Sequence, residues 1–350
     1  MDMRIAARLK AALAATLLLA AMSGCAAEPP TSPDTPDESI QIGMIFDNFV
    51  MERWERDRDV FVSAARELGA EVNVQNANGS VEEQIELMDY FIQKKVDAIV
   101  IVPVDSAPLL DAVQRAQGAN IKVISYDRLI VGARPDLYIT FDNRKVGELM
   151  AQTLLSSVGT NAKFLMICGP LTDHNVAEIG EGFASETEGK GVTILDTYYT
   201  DGWKPENAGA YIREHRELAA SADGIMCGND NLAGAVVDAL AEQRLAGKVC
   251  VVGQDGDLAA CQRIVEGTQA MTVYKPVEKL ASRAAQETVR LITGGTLDCD
   301  VCLSESGEEI PYIALEPVAV TKDNMQSVII DSGFHLKEDV YLNRPDLMEP

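Results

Sequence analysis

From Ile40 onward, apolar runs alternate with stretches whose apolar residues recur at helical spacing. The runs are Ile40 to Phe46, Glu71 to Val74, Ala98 to Val102, Ile121 to Tyr126, Lys163 to Cys168, Val192 to Tyr198, Gly224 to Cys227 and Lys248 to Val252. Several are nearly continuous in Val, Ile and Met, the pattern of parallel strands buried on both faces. Between them, Trp54, Phe61, Ala65 and Leu68 share one helix face that ends at Gly69, and a second helical pattern runs from Gly147 to Leu155. Such alternation predicts an α/β fold with parallel sheets and right-handed crossovers. About four strand–helix units precede residue 143 and about four more precede residue 270, which predicts two doubly wound lobes rather than one barrel. After Tyr274 come a helix pattern to about Leu291, a loop-like stretch carrying cysteines, and a last apolar run from Tyr312 to Val320. One helix and one strand cannot build a third core, so they are expected to return to the first two lobes.

The opening segment differs from the rest. Arg4, Arg8 and Lys10 precede an apolar run from Ala11 to Met22, then Ser23, Gly24 and Cys25. A charged start, a short apolar stretch and small residues make a secretory signal. The run is shorter than the roughly 20 residues of a membrane-spanning helix. Ala21-Met22-Ser23-Gly24-Cys25 resembles the cleavage site of bacterial lipoproteins, which implies a lipid anchor on Cys25. The tract from Glu28 to Asp37 is polar and rich in proline, an extended tether rather than part of a core.

Charge narrows the partners. The 350 residues carry 30 Lys and Arg against 54 Asp and Glu, a net charge of −24. Losing residues 1–24 would remove three basic groups and one acidic group, leaving 27 against 53, or −26. So acidic a surface excludes nucleic acid and disfavours anionic ligands, leaving a small neutral or cationic solute. Outside the cytoplasm disulfides persist, and Cys299 and Cys302, with two residues between them in a loop-like stretch, are the candidate pair. A single such pair beside only three histidines does not make a zinc site, and no metal is expected.

In open parallel sheets, ligands bind beyond the carboxyl ends of the strands. Those positions here read Phe46-Asp47-Asn48, Pro103-Val104-Asp105, Asp127-Arg128, Gly169-Pro170, Asn229-Asp230 and Gln254-Asp255. Singly, each Asp or Asn reads as a helix cap, as Asp142 and Asn143 do before the helix at Gly147. Together, in two lobes, they outline a cleft. There is no GxGxxG, no Walker loop and no GxSxG elbow. A calcium-loop match at Asp255, Asp257 and Glu266 fails because Ala259 and Ala260 replace a ligand and the glycine. No cofactor and no catalytic residue is expected. The enzymatic alternative is an extracytoplasmic glycosidase with Asp127 and Asp255 as its carboxylate pair.

Several strings resemble the class I periplasmic sugar-binding proteins of ABC importers. They are Glu52-Arg53-Trp54-Glu55-Arg56-Asp57-Arg58-Asp59, Ala77-Asn78-Gly79, Tyr126-Asp127-Arg128, Phe141-Asp142-Asn143 with Val146-Gly147-Glu148-Leu149, Asp201-Gly202-Trp203 with Pro205-Glu206-Asn207, Gly253-Gln254-Asp255 and Met271-Thr272-Val273-Tyr274-Lys275-Pro276. In the family's order, they span roughly residues 40 to 335. The resemblance implies two lobes on a three-stranded hinge, closing on one sugar such as xylose and presenting it to a membrane permease. It places the sugar contacts on Arg53, Trp54, Asp127, Arg128, Asp173, Asn175, Trp203, Asn229, Asp255 and Lys275. Indole rings suit the apolar faces of a pyranose, while charged and amide groups suit its hydroxyl rim. Trp54 and Trp203, the chain's two tryptophans, are therefore expected to sandwich the ring. His174 stands where the family carries Asn, a departure beside Asp173.

The expected division is a signal over residues 1–24 and a tether over 25–39. A first lobe then takes residues 40–142 with 276–311, and a second takes 143–275 with 312–340. The expected protein is an extracytoplasmic, lipid-anchored monomer that delivers D-xylose or a related aldose to an ABC transporter. A receptor for another pentose or hexose that feeds a membrane sensor is the alternative. A sugar-responsive regulator of the same two-lobed shape would need a basic DNA-binding start, and the acidic tether occupies that place.

Overall fold

A computed structural model describes residues 39–303, 307 and 309–348. The expected signal, tether and Cys25 anchor lie outside the described residues.

The first lobe is built from β1 (Ile40–Phe46), α1 (Arg53–Glu67), β2 (Ala70–Asn76), α2 (Val81–Lys94), β3 (Ala98–Ile101), α3 (Leu110–Gly118), β4 (Lys122–Tyr126) and β5 (Leu137–Phe141). The second follows with α4 (Asn143–Val158), β6 (Lys163–Cys168), α5 (His174–Thr187), β7 (Thr193–Tyr199), α6 (Pro205–Glu214), α7 (Arg216–Ser221), β8 (Gly224–Cys227), α8 (Asp230–Glu242), β9 (Cys250–Asp255), α9 (Leu258–Glu266) and β10 (Met271–Tyr274). The chain then returns through α10 (Val277–Ile292), β11 (Asp300–Leu303) and β12 (Glu309–Leu315), and ends with β13 (Val318–Val320) and the short α11 (Lys337–Val340). Both lobes belong to one compact unit, Ile40–Pro350.

The first sheet runs β11-β12-β5-β4-β3-β1-β2 and the second β13-β10-β9-β8-β6-β7. All pairings are parallel except those of β11 with β12 and β10 with β13. Each sheet thus repeats one doubly wound order, with its switch point between its first and third strands (β1 and β3, β6 and β8). Loops diverge there and leave room for a ligand. Three segments pass between the sheets, from Phe141 to Asn143, from Tyr274 to Val277 and from Leu315 to Val318. Three roughly parallel crossings make a hinge.

Local sequence explains where elements begin and end. Ser80 caps α2 by accepting from Glu83 N, and Lys95 ends it in the left-handed region. Asp142 caps α4 through Lys145 N. Helices α4 and α5 approach backbone to backbone, because a Cβ on Gly147 would lie 2.0 Å from the Ile179 oxygen and one on Gly182 would lie 1.9 Å from the Arg144 oxygen. That closeness brings the start of α5, with Asp173 and Asn175, up to the hinge.

Two expectations need correction. The apolar run from Tyr312 to Val320 is two strands rather than one. Tyr312 to Leu315 pair with Tyr138 to Phe141 in the first sheet, and only Val318 to Val320 join the second. The boundary between the lobes therefore falls after Leu315, not after residue 311. Pro317, which has no N–H to donate, sits in the break. Second, Cys299 and Cys302 are free thiols, not a disulfide. Asp300 to Leu303 is a strand, and residues three apart on an extended backbone point to opposite faces. Cys299 packs among the core beneath α1 and α10, and Cys302 packs with Leu129, Tyr138 and Ile310 on the other side.

Candidate functional site

Strand ends from both lobes meet around one gap. From the first lobe, the loop after β1 brings Met51, and the first turn of α1 brings Arg53 and Trp54. The end of β4 brings Asp127 and Arg128. From the second come Asp173 and Asn175 at the start of α5, Trp203 after β7, Asn229 before α8, Gln254 and Asp255 at the end of β9, and Lys275 after β10. The structure brings all ten residues singled out in the sequence to this gap. Asp127 and Asp255 terminate the fourth strand of their sheets, and both have positive φ, at 63° and 102°. Trp203 does too, at 60°. Non-glycine residues seldom adopt such angles, and they cluster where a side chain must be aimed.

The charges form a connected chain. Arg53 donates to both Asp57 oxygens at 3.1 and 3.3 Å and places Nη1 2.8 Å from Asp127 Oδ2 and 3.9 Å from Asp255 Oδ1. Lys275 Nζ lies 3.5 Å from the same Asp255 oxygen. Arg128 pairs with Asp47 at 2.8 Å in its own lobe and with Asp173 at 2.7 Å across the gap. Asn175 also crosses, donating to the Asp127 carbonyl at 3.2 Å. Burial pushes the Asp127 carboxyl up, but Arg53, Lys275 and Arg128 outweigh burial and hold it below its ordinary value. Burial dominates at Asp57, which is pushed up to about 6 despite Arg53 and the Tyr126 hydroxyl. Asp173 is likewise raised by burial against the pull of Arg128.

Several of these residues also serve the fold. Asn229 caps α8 by accepting from Leu232 N at 2.9 Å, and Asp173 caps α5 at Asn175 N at 3.0 Å. The same Asp173 accepts from Trp203 Nε1 at 3.2 Å. Trp54 is 1% exposed and belongs to the first lobe's core while its edge reaches the gap. Trp203 lies over Gly169 and Gly228, where an added Cβ would come within 2.3 and 3.0 Å of its ring. Those two glycines make a seat for the indole.

Three buried polar atoms facing this gap have no hydrogen-bond partner: Trp54 Nε1, Asp127 Oδ2 and Gln254 Oε1. Asp127 Oδ2 is nonetheless ion-paired with Arg53 Nη1 at 2.8 Å, so its need is the least of the three. Between the walls, open solvent at the edge included, about 280 Å³ is free of atoms, and only about 20 Å³ admits the centre of a water. The gap is therefore pinched, and a ring must part the walls to enter. Outside it a wider cleft of about 770 Å³ shares Met51, Arg128, Asp173 and Trp203, and it forms the mouth. The sequence placed Asp47 and Gln254 among the strand ends that outline a cleft but did not count them, or Met51 and Asp57, among the sugar contacts. Asp57 stands one helical turn beyond Arg53; Met51 is recognisable only once the lobes face each other. Among the described residues, no group of three or more His, Cys, Asp and Glu could hold a metal ion, and no helix is long and apolar enough to cross a membrane.

Two lobes of this topology with a polar, enclosed gap at their switch points define a solute-binding protein of the hinged, two-lobed class. Residues 42–296 match the family model described as periplasmic binding protein domain, and the chain belongs to that family, within its class I sugar-binding branch. It is 39% identical over 309 residues to the D-xylose-binding periplasmic protein of Escherichia coli, covering 87% of this chain and 93% of that one. The D-xylose-binding periplasmic protein of Haemophilus influenzae is 37% identical over 317 residues, with 89% and 95% covered. Among solved structures, the carbohydrate transporter solute-binding protein of Chloroflexus aurantiacus in complex with D-glucose superposes with a TM-score of 0.78 at 27% identity, covering 85% and 98%. These are binding proteins rather than enzymes, and this chain is one as well.

Proposed function

We propose that the protein is a lipid-anchored receptor that captures D-xylose, or a closely related aldose, in the gap and delivers it to an ABC permease. The observation that carries the reading is the trio of unpartnered atoms, one donor and two acceptors, in a single gap. A sugar hydroxyl both donates and accepts, so a ring of hydroxyls serves all three; Asp127 Oδ2 already has the Arg53 charge beside it, whereas leaving Trp54 Nε1 or Gln254 Oε1 buried and unpaired costs about 1–3 kcal/mol each. Trp203, seated on its two glycines, offers a flat face, and Trp54 offers its edge and Nε1. By this reading Arg53, Arg128, Asn175, Asn229, Asp127, Asp173, Asp255 and Lys275 grip the hydroxyl rim. Asp47, Asp57, Asp127, Asp173 and Asp255 surround three cations, so the site as a whole repels anions and suits a neutral ring.

Xylose is favoured over other aldoses by the two relatives that share more than a third of their residues with this chain. Asp173 and Asn175 already reach Arg128 and Asp127 across the gap, and exclusion of water strengthens every polar contact inside.

Hydrolysis is disfavoured. A glycosidase needs one carboxyl kept protonated near neutral pH. Asp127 is held below its ordinary value, and it shares the Arg53 guanidinium with Asp255.

The test is titration calorimetry with D-xylose, D-glucose, D-allose, D-ribose and L-arabinose. Xylose should bind most tightly and raise Tm. No heat and no Tm shift with any of the five would end the proposal. For the anchor, Cys25→Ser should release the protein from membranes; persistent membrane association would refute that part.

A further inference from the structure

We infer that His335, in the C-terminal segment, is a positioning residue that helps aim Asp255 by holding the next peptide but one, between Gly256 and Asp257. The inference rests on the proposed sugar site. Asp255 and Gly256 have successive positive φ values of 102° and 76°. For Asp255 that backbone is strained, so its direction is set by what grips the turn rather than by its own preference. The grip comes from both sides of Gly256. Its N–H donates to Asp230 Oδ2 at 3.0 Å and to Thr272 Oγ1 at 3.1 Å. Its carbonyl accepts from His335 Nε2 at 2.8 Å, a bond made across 79 residues of sequence.

A carbonyl can only accept, so Nε2 carries the proton. Burial lowers the affinity of His335 for a second proton, which keeps the neutral ring with Nε2–H. The ring does not reach the gap itself. It is fixed by Phe334, whose own ring packs edge-on against Tyr274 at 4.7 Å, while the Arg56 guanidinium lies 4.2 Å over Phe334. The C-terminal segment therefore braces the sugar site from behind, through one carbonyl. Release of that carbonyl would free the turn at Gly256, and through it the strained Asp255, to carry the carboxylate away from Lys275 and Arg53.

The test separates the donor from the packing. His335→Phe and His335→Met both fill the space without an N–H, Met having the flexibility to fit if Phe does not fold. His335→Gln restores a donor. All are to be measured for D-xylose affinity by calorimetry and for Tm in the absence of sugar. The donor-less variants should bind about tenfold more weakly, and His335→Gln should return to within about threefold of wild type at whatever Tm it has. Affinity that follows Tm instead of the donor, or that is unchanged in both donor-less variants, overturns the inference and leaves the sugar site standing. A wild-type protein that binds none of the aldoses ends both.

Discussion

The substitution Gly169→Ala should displace Trp203 and weaken sugar binding. Gly169 follows β6 and lies under the indole. A Cβ built there sits 2.3, 2.4 and 2.5 Å from Cζ2, Cη2 and Cε2, and these near-equal distances place it over the face of the six-membered ring. Carbon atoms rest at about 3.5–4.0 Å, so the ring must retreat by at least about 1.2 Å. Behind it is a gap in which only about 20 Å³ admits a water centre, so the retreat takes room from the ligand. It also tilts Nε1 away from Asp173, to which it donates at 3.2 Å. Overpacking of this kind costs about 1–3 kcal/mol, which corresponds to a roughly 5- to 150-fold rise in Kd if it falls on the bound state. Gly228→Ala, whose Cβ comes no closer than 3.0 Å to the ring, should do the same to a smaller degree. Calorimetry with D-xylose, Tm and the tryptophan emission spectrum read the outcome. A Gly169→Ala protein with a Kd within about twofold of wild type and unaltered emission would refute the role given to the seat.

Trp54→Phe keeps an aromatic ring in the core but removes the unpartnered Nε1–H. It should therefore weaken D-xylose binding about tenfold with little loss of Tm, and a fall in Tm without a change in Kd would show Trp54 to be core alone. Stability should hold or rise as pH falls from 7 to 5. Burial pushes Asp57 up to about 6 and Asp230 up to about 7, so the folded chain takes up protons that unfolded carboxylates, titrating near 3.9, do not; the two outweigh His335, whose protonation burial opposes and which acts the other way. Calorimetric scans showing a steady fall in Tm over that range would contradict the direction. Thiol titration of unfolded protein, prepared without reductant, should find both Cys299 and Cys302 reactive, and adding reductant should leave Tm unchanged. A Tm lowered by reductant would mean that a disulfide forms.

Most strands of the two sheets were legible in the sequence because a run dense in Val, Ile and Met has few alternatives. β5, β10 and β11 were not. Leu137–Phe141 alternates with polar residues, Met271–Tyr274 is four residues long, and β11 carries Asp300 and Cys302 in a stretch that reads as a loop. β5 and β10 are each placed in part by a strand far along the chain, β12 and β13, and β11 by the β12 edge beside it, and no local pattern encodes these pairings. The same holds for the break at Glu316-Pro317, where one apolar run serves two sheets. All ten candidate residues reach the gap because the resemblance marked where strand ends converge. Gln254 and Met51 gain their role only from facing the opposite lobe.

The order of apolar runs and helices, the caps at Ser80 and Asp142, and the acidic surface are consequences of the sequence by itself, since each depends on neighbours within one or two turns. Tertiary structure alone decided which polar atoms stay unpaired, because that depends on groups brought together from residues 54, 127 and 254. It also decided that Arg53 would face three carboxylates and that Trp203 would rest on two glycines. Short-range sequence sets which side chains point away from a strand or helix. Only the closing of one lobe against the other sets what they meet.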